Sequence, residues 1–269
     1  MELINTHSHT GFCGHGEGSV DQLVCAAQAC GIRTLAITEH YPLTAAFDPD
    51  EFLSMPVRLL DEYCDAVCEA RQAHPKVEVL LGCEFDWLGD DEDRDLARVD
   101  FGRFDVVLGS VHFVDGWAFD SPRFLGRWEE VGADTVWKRY FETWCEAVLS
   151  DLPFTIMAHP DLAKKFAYYP SFDLGALYKD AAEALRVSGR MAEVNTSGAY
   201  CACEEMYPSP GLLREFNKAG IPLSVGTDAH HPDNVSRGIR LAYKLLYECG
   251  YREITVPTKD GDRRCVTIG

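Results

Sequence analysis

The sequence predicts an α/β fold built on a parallel sheet that is either closed or doubly wound. Short β-rich runs alternate with longer segments of helical period, which is the pattern of repeated β-α units. The length of 269 residues matches the roughly 250 residues typical of an α/β barrel. With 46% apolar residues, the chain can bury a sizeable core. We therefore expect one domain spanning residues 1–269.

Seven runs rich in aliphatic and β-branched residues predict the strands of this sheet. They cover residues 3–6, 34–38, 77–83, 106–111, 154–158, 191–195 and 222–226. Each run is short and largely apolar, as expected for strands that are covered on both faces. The segments between them are long enough to hold crossover helices.

The helices between the strands carry start and stop signals. Ser19 and Gln22 form a capping box at the start of one helix, and Gly31 ends it. Ser209 followed by Pro210 predicts another helix start, with its end at Gly220. Apolar spacing of three and four predicts further helices over 56–73, 134–149, 174–187 and 235–248. The acidic stretch 89–95 is predicted to be a solvated loop, and the tail 253–269 a hairpin that turns at residues 260–261.

Charge and composition exclude several classes of partner. The chain has 43 acidic and 25 basic residues, a net charge of −18, and such a surface repels a phosphate backbone. Nucleic acid is therefore not an expected partner. A cytoplasmic protein without a membrane partner is expected, because the start lacks a basic and apolar leader and no run approaches the roughly 18 apolar residues of a membrane span. The 11 cysteines are scattered along the chain, which indicates reduced, mostly buried thiols.

Metal-ligating residue types follow six of the seven predicted strands. In a parallel barrel the carboxyl ends of all strands meet at one face, where such folds place their active sites. Residues more than 200 positions apart would thus meet in space. The residues concerned are His7 and His9 after the first strand, His40 after the second, Glu84 after the third, His112 after the fourth, His159 after the fifth, and Asp228 and His230 after the seventh.

The spacing of these residues supports a shared metal site. In His7-Ser8-His9 and in Asp228-Ala229-His230 the two ligands are one residue apart, so an extended chain points both to the same face. His15 lies in a glycine-rich loop that can fold back over that face. Imidazole and carboxylate ligands suit zinc, manganese or iron, and there are too many for one ion. We expect two or three divalent ions. His74 fits no strand end and is predicted to be a surface residue, and His231 is left out of the ligand set.

These motifs together resemble the polymerase and histidinol phosphatase (PHP) superfamily. The resemblance runs from residue 7 to residue 230 and implies a distorted seven-stranded TIM-like (β/α)7 barrel with a trinuclear metal site. Further segments, at residues 110–120, 193–198 and 207–210, are similar to the monofunctional histidinol-phosphatase branch. The motifs that carry the superfamily resemblance are His7-Ser8-His9, His15, Thr38-Glu39-His40, Glu84, Gly109-Ser110-Val111-His112-Phe113, His159-Pro160-Asp161 and Gly226-Thr227-Asp228-Ala229-His230.

The resemblance also implies roles for particular residues. One metal would be held by His7, His9, Glu84 and Asp228, a second by Glu84, His112 and His159, and a third by His15, His40 and His230. Glu84, Asp228 and His230 would be the catalytic residues. Many relatives carry a basic residue after the Asn-Thr-Ser-Gly segment, whereas Ala199 and Tyr200 follow it here. The candidate phosphate contacts in this chain are Lys164, Lys165 and Arg237.

The resulting expectation is a phosphoric monoester hydrolase acting on histidinol phosphate through metal-activated water. Its substrate would be a small phosphomonoester whose alcohol part carries positive charge. A positively charged alcohol is attracted to an acidic protein. One alternative is a PHP phosphoesterase that acts on another small phosphomonoester or a nucleotide. A second is a metal-binding module without catalytic activity. An amidohydrolase is less well supported, because that class uses a bridging carboxylated lysine and no lysine ends a predicted strand.

Overall fold

A computed structural model of the chain describes residues 1–89 and 99–269. The acidic stretch predicted as a loop at 89–95 lies, from residue 90 onward, outside the described residues. The strands are β1 (Leu3–Asn5), β2 (Ile32–His40), β3 (Glu78–Asp86), β4 (Val106–Ser110), β5 (Phe113–Val114), β6 (Trp117–Ala118), β7 (Ile156–Met157), β8 (Met191–Asn195), β9 (Leu223–Gly226), β10 (Glu253–Pro257) and β11 (Arg263–Thr267). The helices are α1 (Val20–Ala29), α2 (Leu60–Ala73), α3 (Leu125–Val131), α4 (Ala133–Leu149), α5 (Gly175–Ser188), α6 (Pro210–Lys218) and α7 (Ile239–Glu248).

Seven strands form one parallel sheet in the order β1-β2-β3-β4-β7-β8-β9. The two edges of this sheet approach each other. The backbone N–H of Thr6 donates to the carbonyl of Val225 at 3.0 Å, and that of His9 donates to Ala229 at 2.8 Å. These hydrogen bonds join the carboxyl ends of β1 and β9. The sheet is therefore nearly closed, and the expected distorted seven-stranded TIM-like barrel is confirmed.

All seven predicted strands are present, and all but β8 (Met191–Asn195) have bounds that differ from the predicted ones. β2 is longer than predicted and extends to His40, so this ligand candidate belongs to the strand itself. β7 is shorter and covers only two residues. The backbone of His159, two residues further on, has a φ of 27°, a left-handed conformation that an extended strand does not accommodate. The chain therefore leaves the strand geometry just before this histidine.

The predicted helices are all present, and the largest shifts, of four residues each, are at the starts of α2 and α7. Ser19 Oγ accepts from the backbone N–H of Gln22, whose side chain accepts from the N–H of Ser19, so the capping box exists. α2 begins four residues later than predicted because a 3₁₀ turn precedes it. α7 also begins four residues late, at Ile239, because Gly238 has a φ of 81°. Helix α3 and the small hairpin of β5 and β6 are additional elements that the pattern did not predict.

The inner face of the barrel changes from apolar to polar along the strands. Side chains two residues apart on a strand point to the same face, so Ala36 and His40 share a face on β2, as do Leu80 and Glu84 on β3. The register pairs His40 with Glu84. The apolar residues of this face form a buried cluster of their own: Ala36, Leu80, Val106, Leu108, Ile156, Ala158 and Met191. This apolar cluster lies beneath the polar residues at the carboxyl ends of the strands. A larger core fills the space between the sheet and the helices.

The C-terminal hairpin is confirmed, and the cysteine prediction is correct only in part. β10 and β11 pair antiparallel across the predicted turn, where Gly261 has a φ of 79°. The cysteines are all free, as predicted, but most of them are not buried: the buried ones are Cys13, Cys64, Cys83 and Cys249. Within residues 1–89 and 99–269, no helix is long and apolar enough to cross a membrane.

Candidate metal centre

The barrel brings the predicted metal-ligating residues together at the carboxyl ends of its strands. Their side chains are buried or partly buried except for that of His15, which comes from the loop between β1 and α1. The set comprises His7, His9, His15, His40, Glu84, His112, His159, Asp228 and His230. Because β1, β2, β3, β4, β7 and β9 each place at least one of these residues, the cluster depends on the closed sheet.

Glu84 lies at the centre of this cluster and contacts imidazoles with both carboxylate oxygens. Its Oε1 lies 2.8 Å from His159 Nε2 and accepts a hydrogen bond from Ser110 Oγ at 2.6 Å. Its Oε2 lies 3.0 Å from His40 Nδ1 and 3.3 Å from His7 Nε2. The Glu84 side chain is only 1% exposed. A single carboxylate thus links residues from four different strands or strand ends.

His7, His9 and Asp228 form a first group on one side of Glu84. The Nε2 atoms of the two histidines are 3.0 Å apart. Asp228 Oδ1 lies 3.6 Å from His7 Nε2 and 3.4 Å from His9 Nε2. The ligand atoms of His7, His9 and Glu84 are close enough to hold one ion. This is the group that the family resemblance implied for the first metal.

A second group faces the other Glu84 oxygen. His112 Nε2 lies 3.2 Å from His159 Nε2 and 3.6 Å from Glu84 Oε1. The opposite nitrogen of His112, Nδ1, contacts Asp86 Oδ1 at 2.8 Å. That contact orients the ring so that Nε2 points into the cluster.

The third group lies at the open side of the cluster. The ligand atoms of His15, His40 and His230 are close enough to one another to hold an ion. The rings of His15 and His230 stack with centroids 4.7 Å apart, and His15 Nδ1 is 3.0 Å from the carbonyl oxygen of Phe52. His15 is thereby held over the barrel mouth, as the glycine-rich loop suggested.

The pKa shifts within the cluster follow from burial and from the mixture of charges. Burial alone would raise the pKa of the Glu84 carboxyl, but the surrounding histidines, His7 and His40 foremost, hold it well below its usual range. Burial lowers the pKa of His9 to about 3, assisted by His230. Burial opposes protonation of His112, but Asp86 and Glu84 outweigh it and raise the pKa to about 10. A divalent cation would compete with such protons for the same nitrogen atoms.

The residues present fit divalent metal ions. His230 Nε2 is buried and has no hydrogen-bond partner, which is costly unless another ligand satisfies it. The paired Nε2 atoms of His7 and His9 converge on one point, as ligands of a shared ion do. A donor set of imidazoles and carboxylates suits zinc, manganese or iron.

Glu193 is a functional residue that the ligand pattern did not single out. It is fully buried in β8, and its Oε1 contacts His7 Nδ1 at 2.9 Å. Its Oε2 accepts from the backbone N–H of His159 at 2.8 Å. A side chain at position 226 would collide with this carboxylate and with His7, so Gly226 makes the approach feasible. The Glu193 carboxylate therefore positions two ligand candidates. The only sign of this residue in the sequence was its place in the segment 193–198, which belongs to the family resemblance.

A cavity of about 280 Å³ opens beside the cluster. His15, His40 and His112 form its inner wall, and Phe52, Leu53 and Phe113 contribute apolar surface. Its charged residues are Asp86, Asp120 and Lys165. The volume and mixed lining are suitable for a small polar ligand.

The three candidate phosphate contacts have different surroundings. Lys164 is buried, and its ammonium pairs with Glu205 at 2.7 Å and with Asp161 at 3.3 Å. Lys165 lines the cavity and pairs with Asp120 at 2.9 Å. Burial lowers the pKa of Lys165, but the Asp120 carboxylate more than offsets this and leaves the pKa above its usual value. Lys165 is therefore a cation facing the cavity.

Arg237 is exposed and lies over the ring of Tyr200, with its guanidinium carbon 3.4 Å from the ring centroid. Tyr200 ends the short turn Ser197–Tyr200. Ser197 Oγ in the same turn donates to Asp228 Oδ2 at 3.4 Å. Arg237 thus packs on the segment that follows the Asn-Thr-Ser-Gly motif.

A parallel α/β barrel with converging imidazole and carboxylate ligands at its mouth defines a barrel metalloenzyme. The family model described as PHP domain matches residues 5–197. The chain belongs to the PHP domain family.

Individual relatives agree with this membership. The chain is 31% identical over 257 residues to a protein of Deinococcus radiodurans named "Probable histidinol-phosphatase", covering 94% of this chain and 96% of that protein. It is 25% identical over 272 residues to the histidinol-phosphatase of Bacillus subtilis, covering 92% and 99% of the two chains. The structure of histidinol phosphate phosphatase from Lactococcus lactis, complexed with zinc, L-histidinol and phosphate, superimposes with a TM-score of 0.75 at 19% identity, covering 96% and 97%. At that identity the superposition supports the fold.

Proposed function

We propose that this protein is a metal-dependent phosphomonoesterase that hydrolyses L-histidinol phosphate to L-histidinol and phosphate. The observation that carries the proposal is the Glu84-centred cluster, which joins three groups of metal-ligating residues beside a cavity with a lysine and two aspartates. The relatives named histidinol-phosphatase, which match nearly the whole chain, support the choice of substrate. A cytoplasmic location and the exclusion of nucleic acid stay predictions from the sequence.

The metal ligands are assigned in three groups. His7, His9, Glu84 and Asp228 would hold one ion, Glu84, His112 and His159 a second, and His15, His40 and His230 a third. Divalent zinc, manganese or iron bound in these groups would supply Lewis-acid polarisation of the phosphoryl group and a water of lowered pKa.

The protein's own contribution is to fix these donors in position. Glu84 holds the first two groups at a constant separation because its two oxygens face them from opposite sides. His230 Nδ1 lies 3.0 Å from the carbonyl oxygen of Asp228, and donation there leaves the Nε2 lone pair free for the cluster. Asp228 Oδ2 accepts from Asn195 Nδ2 at 3.3 Å. Its pKa is well below the usual range because the neighbouring histidines, His7 foremost, outweigh the effect of burial. Asp228 would thus serve as an anionic ligand.

Phosphate binding is proposed to involve Lys165 and Arg237. Lys165 offers a cation within the cavity wall, adjacent to His112 and its partner Asp86. Arg237 offers a planar fork that suits two phosphate oxygens. Lys164 is already committed to Glu205 and Asp161, so its contribution would be to hold the chain after His159.

The rest of the cavity surface suits the alcohol part of the substrate, which hydrolysis releases from the phosphate. Histidinol carries an ammonium group and an imidazole. Asp86 and Asp120 supply negative charge beside the cluster, and the rings of Phe52 and Phe113 supply flat apolar surface. A phosphomonoester of a cationic, aromatic alcohol matches both properties.

A phosphate-release comparison tests the proposed substrate. Purified protein loaded with zinc or manganese is expected to hydrolyse histidinol phosphate with a kcat/KM at least about 100-fold above that for nucleoside monophosphates and p-nitrophenyl phosphate, equivalent to about 2.7 kcal/mol of transition-state discrimination. A preference for a nucleotide would instead support the alternative phosphoesterase. No phosphate release from any of them would support a non-catalytic metal-binding module.

Substitution of Lys165 tests the phosphate contact. Lys165→Met is expected to lower kcat/KM for histidinol phosphate about 100-fold, mainly through KM, because a charge-assisted bond to phosphate is lost and Asp120 is left unpaired. Steady-state kinetics with metal content held equal provides the measurement.

Three control variants belong with this experiment. Lys165→Arg should retain most activity, and Lys76→Met, at an exposed lysine, should change nothing. Lys164→Met should lower the Tm because it leaves the buried Asp161 carboxylate without its cation and removes the ion pair with the partly exposed Glu205. If Lys164→Met raises KM with no loss of stability while Lys165→Met does not, the assignment is reversed.

A further inference from the structure

A second cluster of metal-ligating side chains lies on the outside of the barrel, away from the candidate metal centre. It joins helix α1 to the end of helix α2 and consists of Asp21, Cys25 and His74. His74 Nε2 is 2.7 Å from Asp21 Oδ1 and 3.9 Å from Cys25 Sγ. Cys25 Sγ is 3.9 Å from Asp21 Oδ2. We refer to these three residues as the helix-surface cluster.

The helix-surface cluster is built by regular secondary structure. Asp21 and Cys25 are four residues apart on α1, so their side chains lie on the same face of the helix. His74 directly follows α2, and its backbone N–H donates to the carbonyl of Ala70 at 2.9 Å. The His74 side chain is 14% exposed. Two packed helices thus hold a carboxylate, a thiol and an imidazole around one point.

We propose that the helix-surface cluster binds a divalent cation of the zinc class. Zinc bonds of about 2.0–2.3 Å at tetrahedral angles place neighbouring ligand atoms about 3.4–3.6 Å apart, and the three separations of 2.7–3.9 Å bracket that range. Small rotamer changes on an accessible surface complete the fit, with water as the fourth ligand. Binding replaces the thiol proton, which goes to solvent.

The chemistry of the helix-surface cluster differs from that of the candidate metal centre. Thiolate is a soft ligand that favours zinc or cobalt over manganese and magnesium. The three groups assigned at the centre contain only imidazoles and carboxylates. An ion bound at the helix-surface cluster would cross-link α1 to α2. Helix α1 directly follows the loop that carries His15. This site is independent of the proposed catalytic function.

Cobalt(II) provides the test because a thiolate ligand produces a near-ultraviolet charge-transfer band. Titration of the full-length protein with cobalt is expected to produce this band in the wild type and in Cys68→Ser, a matched change at an exposed cysteine of α2. The band should be absent from Cys25→Ser and strongly weakened in His74→Asn. Zinc stoichiometry should fall by about one equivalent in Cys25→Ser, while kcat/KM for histidinol phosphate stays within about twofold.

Two results would overturn the proposal. A band that persists in Cys25→Ser would assign the sulfur ligand to another cysteine, such as Cys13, which is close to His9 and His230. Equal zinc stoichiometry in wild type and Cys25→Ser would show that the helix-surface cluster holds only an internal hydrogen bond. Because catalysis and the band are measured separately, failure here is distinguishable from failure of the proposed enzymatic function.

Discussion

Glu84→Gln is expected to reduce kcat/KM for histidinol phosphate by about 1,000-fold or more, equivalent to roughly 4 kcal/mol of transition-state stabilisation. The carboxylate contacts imidazoles on both sides, at 2.8 Å from His159 and 3.0 Å from His40. An amide is nearly the same size but carries no charge, and its nitrogen would face the ring nitrogens as a donor. Two of the three metal groups would lose their common anionic ligand. Steady-state kinetics and elemental analysis of the same preparation provide the measurement.

Variants of two further glutamates provide comparisons for Glu84→Gln. Glu193→Gln should have an intermediate effect of about 10- to 100-fold, because it removes a carboxylate that orients His7 without contacting the ions itself. Glu62→Gln, at an exposed position in the first turn of α2, should match the wild type. Near-normal turnover of Glu84→Gln with its metals absent would contradict the proposed mechanism. Circular dichroism would show whether each variant is folded.

Removal of metal is expected to abolish phosphatase activity and to lower the Tm by about 10 °C. An ion that binds only the folded chain at 1,000 times its dissociation constant stabilises it by about 4 kcal/mol, and each kcal/mol shifts the Tm of a chain of this size by about 2–4 °C. Without ions, the buried ring nitrogen His230 Nε2 has no hydrogen-bond partner. Dialysis against a chelator, followed by activity and thermal unfolding measurements, provides the test.

The control for metal removal is restoration by a single ion. Added zinc, manganese or iron should recover both activity and Tm, whereas calcium, which prefers oxygen ligands, should recover neither. The same experiment on Cys25→Ser should show the same loss and recovery of activity, since that residue lies outside the candidate metal centre. Full activity in protein that contains less than a tenth of an equivalent of metal would refute the assignment.

The sequence pattern predicted an α/β fold on a parallel sheet but left open whether that sheet is closed, and the closed barrel was implied by the resemblance to the PHP superfamily. Each strand is a short apolar run, and the helix starts at Ser19 and Ser209 are local signals that depend on neighbouring residues. The bounds were less well predicted where the tertiary structure overrides local preference. β2 continues to His40 because it pairs with β3 from Thr34 to His40. α7 starts late because Gly238 adopts a left-handed conformation beside Thr196.

The candidate site was predictable as a set of residue types but not in its internal arrangement. The positions of His7, His40 and Glu84 at strand ends indicate that they meet, because parallel strands share a carboxyl end. The same reasoning cannot distinguish Lys164 from Lys165, which are neighbours in the chain. Only packing places the first against Glu205 and the second in the cavity wall. His74, predicted to be a plain surface residue, lies beside Asp21 and Cys25 only because two helices pack together.

The sequence by itself determined the fold class, the set of metal-ligating side chains and the acidity of the surface. These properties follow from composition and from periodicities that a chain carries before it folds. The tertiary structure decided which carboxylate supports which histidine, as with Glu193 and His7, and which cation faces the cavity. Such pairings join residues up to about 200 positions apart, and their geometry depends on closure of the barrel and on side-chain packing. No local pattern encodes a distance of that kind.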